Sequence, residues 1–352
     1  MTTSIAKPKV RHPDLPVNAL GLTHRDYEGV VSTLCAGCGH DSITAAIIRA
    51  FWARDVEPHR VAKLSGIGCS SKTPTYFLRE AHGFNSVHGR MPSIATGAAA
   101  ANRDLILIGV SGDGDSLSIG LGQFCHGMRR NVRMLYVLEN NGVYGLTKGQ
   151  FSASADIGSR PKRGEANRSA PIDPVLLALT LGATFVARSF SGDKEQLVPI
   201  LKAGLAHKGF AFVDVISPCV TFNDHEGSTK SYRYTREHVK EVVHADFVPL
   251  KGEITTSYAE GSTSEVTMHD GSRVRLRKVD GEYDPTDRDA AYLYLRQRQK
   301  AGEVPTGLLY ASADTADMHE VERTVPQPLI HLPFDELCPG SAALGQLMDE
   351  FR

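Results

Sequence analysis

No apolar run in this 352-residue sequence approaches the roughly 20 residues that cross a bilayer, so no transmembrane helix is expected. The opening stretch, MTTSIAKPKVRHPDLPVNALG, has prolines and charges but no apolar signal-peptide core. No charge of one sign dominates. With 39 basic residues against 40 acidic ones, neither a basic field for nucleic acid nor an acidic solvating tail is expected. Cysteine is scarce, six in all, and no internal repeat is visible. The ferredoxin run C-x₂-C-x₂-C-x₃-C is also missing. Together these absences point to a cytoplasmic protein whose thiols are reduced or metal-bound rather than paired.

What is present centres on Gly112-Asp113-Gly114-Asp115 and, further on, Glu139-Asn140-Asn141-Gly142-Val143. Each follows a short apolar run, Leu105 to Val110 and Val132 to Leu138, of the kind that forms buried parallel strands. Leu117, Leu121, Phe124 and Met128 recur between them at helical spacing, which predicts a crossover helix. Both motifs then lie at the carboxyl ends of neighbouring strands, where open α/β sheets bind ligands. Gly112 and Gly114 leave room for a bulky anion beside the backbone. Asp113, Asn141 and the Val143 carbonyl offer hard oxygens of the kind magnesium takes together with substrate phosphates.

Four cysteines form a second constellation. Cys35 and Cys38 make a C-x-x-C before a predicted helix, SITAAIIRAFW. Cys69 follows the strand-like Arg60 to Ser65, and Cys219 follows the apolar run Phe210 to Ile216. If these strands are parallel, all four thiols can gather at one rim. By count they suit an iron–sulfur cubane or tetrahedral zinc, and the C-x-x-C alone also fits a redox dithiol. Cys125 reads as a core residue of the crossover helix, and Cys338 has no cysteine near it in sequence.

The Gly-Asp-Gly and Asn-Asn pair resembles the thiamine-diphosphate signature, which implies that Asp113, Asn141 and Val143 hold Mg²⁺ and through it the coenzyme. A closer resemblance follows. CAGCGH, SGIGCSSK, NSVHGR, SGDGD, ENNGVYGLTKGQ and the cysteine of SPCVTFND occur in the order seen in the thiamine-diphosphate-binding β subunit of the 2-oxoacid:ferredoxin oxidoreductases. The match covers roughly residues 34–226, with wording nearest the 2-oxoglutarate branch. It implies one 4Fe–4S cluster on Cys35, Cys38, Cys69 and Cys219, and a coenzyme site built from Ile67, Gly68, His88, Gly89, Arg90, Gly112 to Asp115, Asn141, Val143 and Tyr144. Lys72 is implied at the carboxylate end of the substrate, with Leu146 and Thr147 against the coenzyme. The implied activity is oxidative decarboxylation of 2-oxoglutarate with coenzyme A to succinyl-CoA and CO₂, with electrons leaving through the cluster to ferredoxin. It also implies an α (or fused γα) partner that supplies the activating glutamate. Pyruvate or another 2-oxoacid, a non-redox thiamine-dependent decarboxylase, and a zinc-stabilised binding protein are the alternative readings.

The expected architecture is α/β, a mostly parallel sheet with helices on both faces, plus a small irregular C-terminal segment. Residues 1–33 read as an extended arm, either disordered or lying on a partner, 34–226 as the coenzyme and cluster domain, and 227–352 as a segment packing on the core or a partner. The polar stretch Phe151 to Pro171, with Arg160, Lys162, Arg163 and Arg168, reads as a lid. Glu265 to Val279 is expected to form a hairpin about Asp270-Gly271, and Thr286 to Ala301 a charged helix.

Overall fold

The short apolar runs become the strands of one sheet. The structure, a computed structural model, describes residues 7, 12–160, 165–223, 228–243, 263–267, 273–277 and 283–352. In chain order the strands are β1 (Val61–Ser65), β2 (His82–Asn85), β3 (Ile106–Gly112), β4 (Met134–Asn140), β5 (Val143–Tyr144), β6 (Gln150–Phe151), β7 (Phe185–Phe190), β8 (Phe210–Ile216), β9 (Val239–Val243), β10 (Thr263–Thr267), β11 (Arg273–Arg277) and β12 (Val304–Ala311). The helices are α1 (Gly39–Trp52), α2 (Met91–Ala101), α3 (Leu121–Arg129), α4 (Pro174–Thr180), α5 (Lys194–Ala206), α6 (Tyr232–His238), α7 (Arg288–Lys300), α8 (Met318–Val321), α9 (Phe334–Leu337) and α10 (Gly340–Asp349).

The main sheet has the order β2-β1-β3-β4-β8-β7-β12-β9. Its strands are parallel from β2 to β7. β12 then pairs antiparallel with β7 and parallel with β9. Alternate side chains of the central strands feed two apolar layers. On one face Met91, Phe124, Met128 and Val175 pack with Leu107, Tyr136 and Phe212. On the other, Ile43, Ile47 and Phe51 of α1 and Leu197 and Ile200 of α5 pack with Ile108, Val137 and Val213. Burial on both faces is why β3, β4 and β8 read as unbroken apolar runs.

Three expectations need correction. First, the N-terminal arm lies on its own chain from Val17 onward, where Val17 bridges Thr23. Tyr27 is fully buried, and its hydroxyl donates to the Val56 carbonyl at 2.8 Å. Its ring completes the apolar layer under α1, which a polar, proline-punctuated sequence conceals. Second, the C-terminal segment is not irregular. β9 and β12 extend the main sheet, and α7 buries Ala291, Tyr294 and Leu295. Asp287 caps α7, accepting from the amides of Asp289 and Ala290. The expected hairpin is present as β10 paired antiparallel with β11, but its turn at Asp270-Gly271 lies outside the described residues.

Third, the crossover after β3 is not one continuous helix. A π-type coil runs over Gly114–Ile119, and α3 starts after Gly120. Gly120 sits against Gly89, and a Cβ on Gly120 would lie 2.6 Å from the Gly89 Cα. Cys125 in α3 is half-buried rather than a full core residue.

The Gly89–Gly120 contact fixes where the crossover starts, so Gly120→Ala should destabilise the chain by about 1–3 kcal/mol in urea melts. Gly122 has nothing within 4 Å of its Cβ direction, so Gly122→Ala should be neutral or stabilising by up to about 1 kcal/mol. Equal effects of the two substitutions would contradict this account of the break.

Candidate active site

Because β1, β3, β4 and β8 are parallel, their carboxyl ends share one rim. A cavity of about 380 Å³ opens there. Of the residues expected in the site, Ile67, Gly68, Cys69, His88, Gly112, Asp113, Gly114, Asp115, Asn141, Val143, Tyr144, Leu146 and Thr147 line it. Lys72, Gly89 and Arg90 do not. The Lys72 and Arg90 side chains are exposed outside the lining. Ser70, Ile119, Gly145 and Gln150 also line the cavity and were not anticipated.

Asp113 is 1% exposed and is gripped from one side. Its Oδ2 accepts from the Gly142 amide at 3.0 Å, from Ser154 Oγ at 2.7 Å and from Ser152 Oγ. Its Oδ1 takes only a longer contact from the Asn141 amide, at 3.3 Å. Burial pushes the Asp113 carboxyl upward, and these donors pull it back. Asn141 Oδ1 accepts from the Val143 amide at 3.0 Å, and Asn223 Nδ2 donates to the Asn141 carbonyl at 2.7 Å. Gly142 makes this turn with φ +77°, and a Cβ there would lie 2.7 Å from Asn223 Nδ2. Asp113, Asn141 and Val143 therefore share one turn, and their carboxylate, amide oxygen and main-chain carbonyl are a donor set of hard oxygens that fits magnesium by type.

Asp115 lines the cavity, but its carboxylate is spent on the protein. Oδ1 accepts from the amides of Ile67 at 3.2 Å and Gly89 at 2.8 Å, and Oδ2 from Ser111 Oγ at 2.8 Å. It ties the loop after β1 and the loop before α2 to the end of β3. That is the place of Gly89, which serves the site through Asp115. The Ser152 and Ser154 contacts put the start of the expected lid in the wall behind Asp113, while Lys162 and Arg163 lie outside the described residues.

The four thiols gather beside this cavity. A Cβ on Gly145 would lie 3.4 Å from Cys69 Sγ and 3.8 Å from Cys219 Sγ. Thr221 Oγ1 is 3.9 Å from Cys35 Sγ, and Cys38 forms the N-cap of α1. After burial, Cys219 adds to the upward push on the Cys38 thiol, and Cys219 and Cys35 add to that on Cys69. Burial pushes the Cys38 thiol up to about 12 and the Cys69 thiol upward as well, with Lys72 working the other way at Cys69. Among the described residues no three His, Cys, Asp or Glu side chains converge as they would on a single metal ion.

A buried acid lies between the two constellations. Glu139 is fully buried at the end of β4, where Thr73 Oγ1 donates to its oxygens at 3.1 and 3.0 Å. His40 Nδ1 is 3.3 Å from Glu139 Oε2. Burial pushes Glu139 well above the usual carboxylate range and His40 down to about 4. Both directions favour a neutral pair over an ion pair, with the proton on the carboxyl. No sequence spacing signals this contact, because His40, Thr73 and Glu139 come from separate elements.

Residues 66–215 match the family model described as thiamine pyrophosphate enzyme, C-terminal TPP binding domain. A 2-oxoacid:ferredoxin oxidoreductase subunit beta from Sulfolobus is 43% identical over 191 residues, 54% of this chain and 63% of that protein. The chain thus spans somewhat under two thirds of that relative. A 2-oxoglutarate synthase subunit KorB from Methanocaldococcus jannaschii is 35% identical over 189 residues, 53% of this chain and 69% of that protein. The chain belongs to the 2-oxoacid:ferredoxin oxidoreductase β-subunit family. A solved member of the family extends the likeness beyond the matched core. The 2-oxoglutarate:ferredoxin oxidoreductase from Magnetococcus marinus, solved with 2-oxoglutarate, coenzyme A and succinyl-CoA bound, has 31% identity and a TM-score of 0.69. That alignment covers 90% of this chain and 94% of the other.

The neutral Glu139–His40 pair sets a sign for pH. The raised carboxyl contributes stability that is whole below the unfolded value of about 4.3 and is lost as pH rises through the folded one. Gln can keep the Thr73 acceptor and the donor to His40 without ionising. Glu139→Gln should therefore gain on the wild type as pH rises from 5 to 8, read as urea midpoints on the cofactor-free chain. A gap that is constant with pH would contradict the neutral pair.

Proposed function

We propose that this β subunit carries thiamine diphosphate, Mg²⁺ and one 4Fe–4S cluster, and that with an α (or fused γα) partner it oxidatively decarboxylates 2-oxoglutarate with coenzyme A. Succinyl-CoA and CO₂ are the products, and the electrons pass to ferredoxin in the cytoplasm. One observation carries the reading: Gly145 lies in the lining of the coenzyme-type cavity and against two of the four gathered thiols. The names of the Methanocaldococcus relative and the Magnetococcus structure support 2-oxoglutarate as the acid. Among the described residues no helix is long and apolar enough to cross a membrane.

Asp113, Asn141 and the Val143 carbonyl would hold Mg²⁺, and Cys35, Cys38, Cys69 and Cys219 the cluster. When bound, the coenzyme supplies the electron sink for decarboxylation and the cluster the one-electron steps. This chain's own residues shape and dry the site. Tyr144 packs where a Cβ on Gly114 would lie 2.5 Å from its ring, and its hydroxyl donates to the Gly114 carbonyl at 3.0 Å. Ile67, Ile119 and Leu146 give the cavity an apolar wall. Thr147 Oγ1 donates to Gln150 Oε1 at 2.6 Å, which orients both at the mouth. Cys38 and Cys69, whose thiols burial raises, would hold the cluster as thiolates, so loading should be favoured by higher pH. A non-redox thiamine enzyme would leave these thiols without a purpose.

Anaerobically purified αβ complex should be brown, with about four irons per β chain, and should reduce ferredoxin with 2-oxoglutarate in preference to pyruvate. Cys219→Ser should lose most of the iron and the ferredoxin reduction. Colourless protein with one zinc per chain would overturn the reading. Lys72, outside the cavity wall, reads as a rim cation for the distal carboxylate. Lys72→Ala should narrow the preference for 2-oxoglutarate over pyruvate by about tenfold in kcat/KM, and an unchanged ratio would remove Lys72 from recognition.

A further inference from the structure

Asn140 stands one residue before Asn141, and its side chain turns away from the cavity. Its Nδ2 donates to Asp214 Oδ1 at 3.0 Å, and its Oδ1 accepts from Ser154 Oγ at 2.8 Å. Ser154 Oγ is also 2.7 Å from Asp113 Oδ2. Behind Asn140, Arg188 Nε donates to Asp214 Oδ2 at 2.7 Å, and Arg188 Nη2 to Asp173 Oδ1 at 2.7 Å. Asp173 in turn caps α4, accepting from the amides of Val175 and Leu176. Asp214 is fully buried, Asn140 is 3% exposed and Arg188 7%.

We propose that Asn140, Asp214 and Arg188 are positioning residues that set the orientation of Asp113 through Ser154. The inference rests on the reading of this rim as a magnesium–diphosphate site. Burial pushes the Asp214 carboxyl upward, and the Arg188 guanidinium on Oδ2 opposes this and favours the ionised form, in which Oδ1 is an acceptor. Asp214 as an acceptor compels Asn140 to present its NH₂ backward and its carbonyl oxygen to Ser154. The Ser154 hydroxyl has one hydrogen and lies between two acceptors, Asn140 Oδ1 and Asp113 Oδ2, so the amide fixes where the serine oxygen sits. That serine and the Gly142 amide hold Asp113 Oδ2 against the protein, which leaves Oδ1 as the oxygen turned to a cation. The paired asparagines therefore divide the work: Asn141 faces the metal side and Asn140 faces the buried ion network. A buried Arg with two carboxylates rarely stabilises more than an apolar core would, so its placement directly behind a ligand turn fits orientation better than stability.

The test is the Mg²⁺ concentration that gives half-maximal thiamine diphosphate binding, measured by calorimetry on the full-length αβ complex, with melting temperature as the control for folding. Asn140→Asp sets two carboxylates face to face and should raise that concentration by about 10–100-fold, as loss of an outer hydrogen-bond partner does at metal sites. The exchange Asn140→Asp with Asp214→Asn restores one donor and one acceptor, and should return it to within about threefold of wild type. Ser154→Ala, which removes a single hydroxyl, tests the same chain should Asn140→Asp fail to fold, and should raise it as well. If Asp113→Asn weakens binding while Ser154→Ala does not, or if the exchange does not rescue Asn140→Asp, the positioning chain is overturned and the magnesium reading stands. If Asp113→Asn also leaves the Mg²⁺ dependence unchanged, the magnesium reading itself falls.

Discussion

The bond between the Asp113 carboxylate and the Gly142 amide is the constraint on which the site depends. It closes the end of β3 onto the end of β4 and sets the turn that presents Asn141 and Val143. The bond can form because β3 and β4 are parallel neighbours, with Gly112 paired to Glu139. The rest of the rim follows from the same parallel order. β1 delivers Cys69 to one side of that turn and β8 delivers Cys219 to the other. Gly145, just past the turn, lies against the two sulfurs, which are at ordinary contact distance from where a Cβ would sit.

The rim is also expensive. Asp113, Glu139, Asp214 and Arg188 are all buried at or behind it, and desolvation opposes the charged form of each. The chain handles this cost in two ways. Arg188 keeps its charge because Asp173 and Asp214 flank it. For Glu139 and His40, burial favours the neutral form of each. An apolar scaffold covers both faces of the sheet, and hydrogen bonds between these polar groups and their neighbours hold their directions.

Much of this was legible in the sequence for a local reason. β3, β4 and β8 are contiguous apolar runs, and their motifs sit directly at their ends, so position along the chain predicts position in space. Where the structure departed, the cause was long-range. β12 contains Pro305 and Gly307 and pairs antiparallel with β7, so nothing local marks it as part of the main sheet. Tyr27 is buried by partners from α1 and beyond, not by neighbours in its polar arm. In the site, the Asp113, Asn141 and cysteine positions came from motif spacing. Ser152, Ser154, Asn223 and the Glu139–His40 pair did not, because each acts through a contact between separate elements. Asn140 was visible only as half of a motif, and its backward orientation depends on Asp214, which no spacing connects to it.

Diffraction at the iron edge from anaerobic crystals of the complex grown with thiamine diphosphate and Mg²⁺ tests the central claim most directly. The account predicts one iron–sulfur peak among Cys35, Cys38, Cys69 and Cys219, with the coenzyme diphosphate anchored at Asp113 and Asn141 in the adjoining cavity. An iron peak elsewhere, or a diphosphate bound away from that turn, would contradict it.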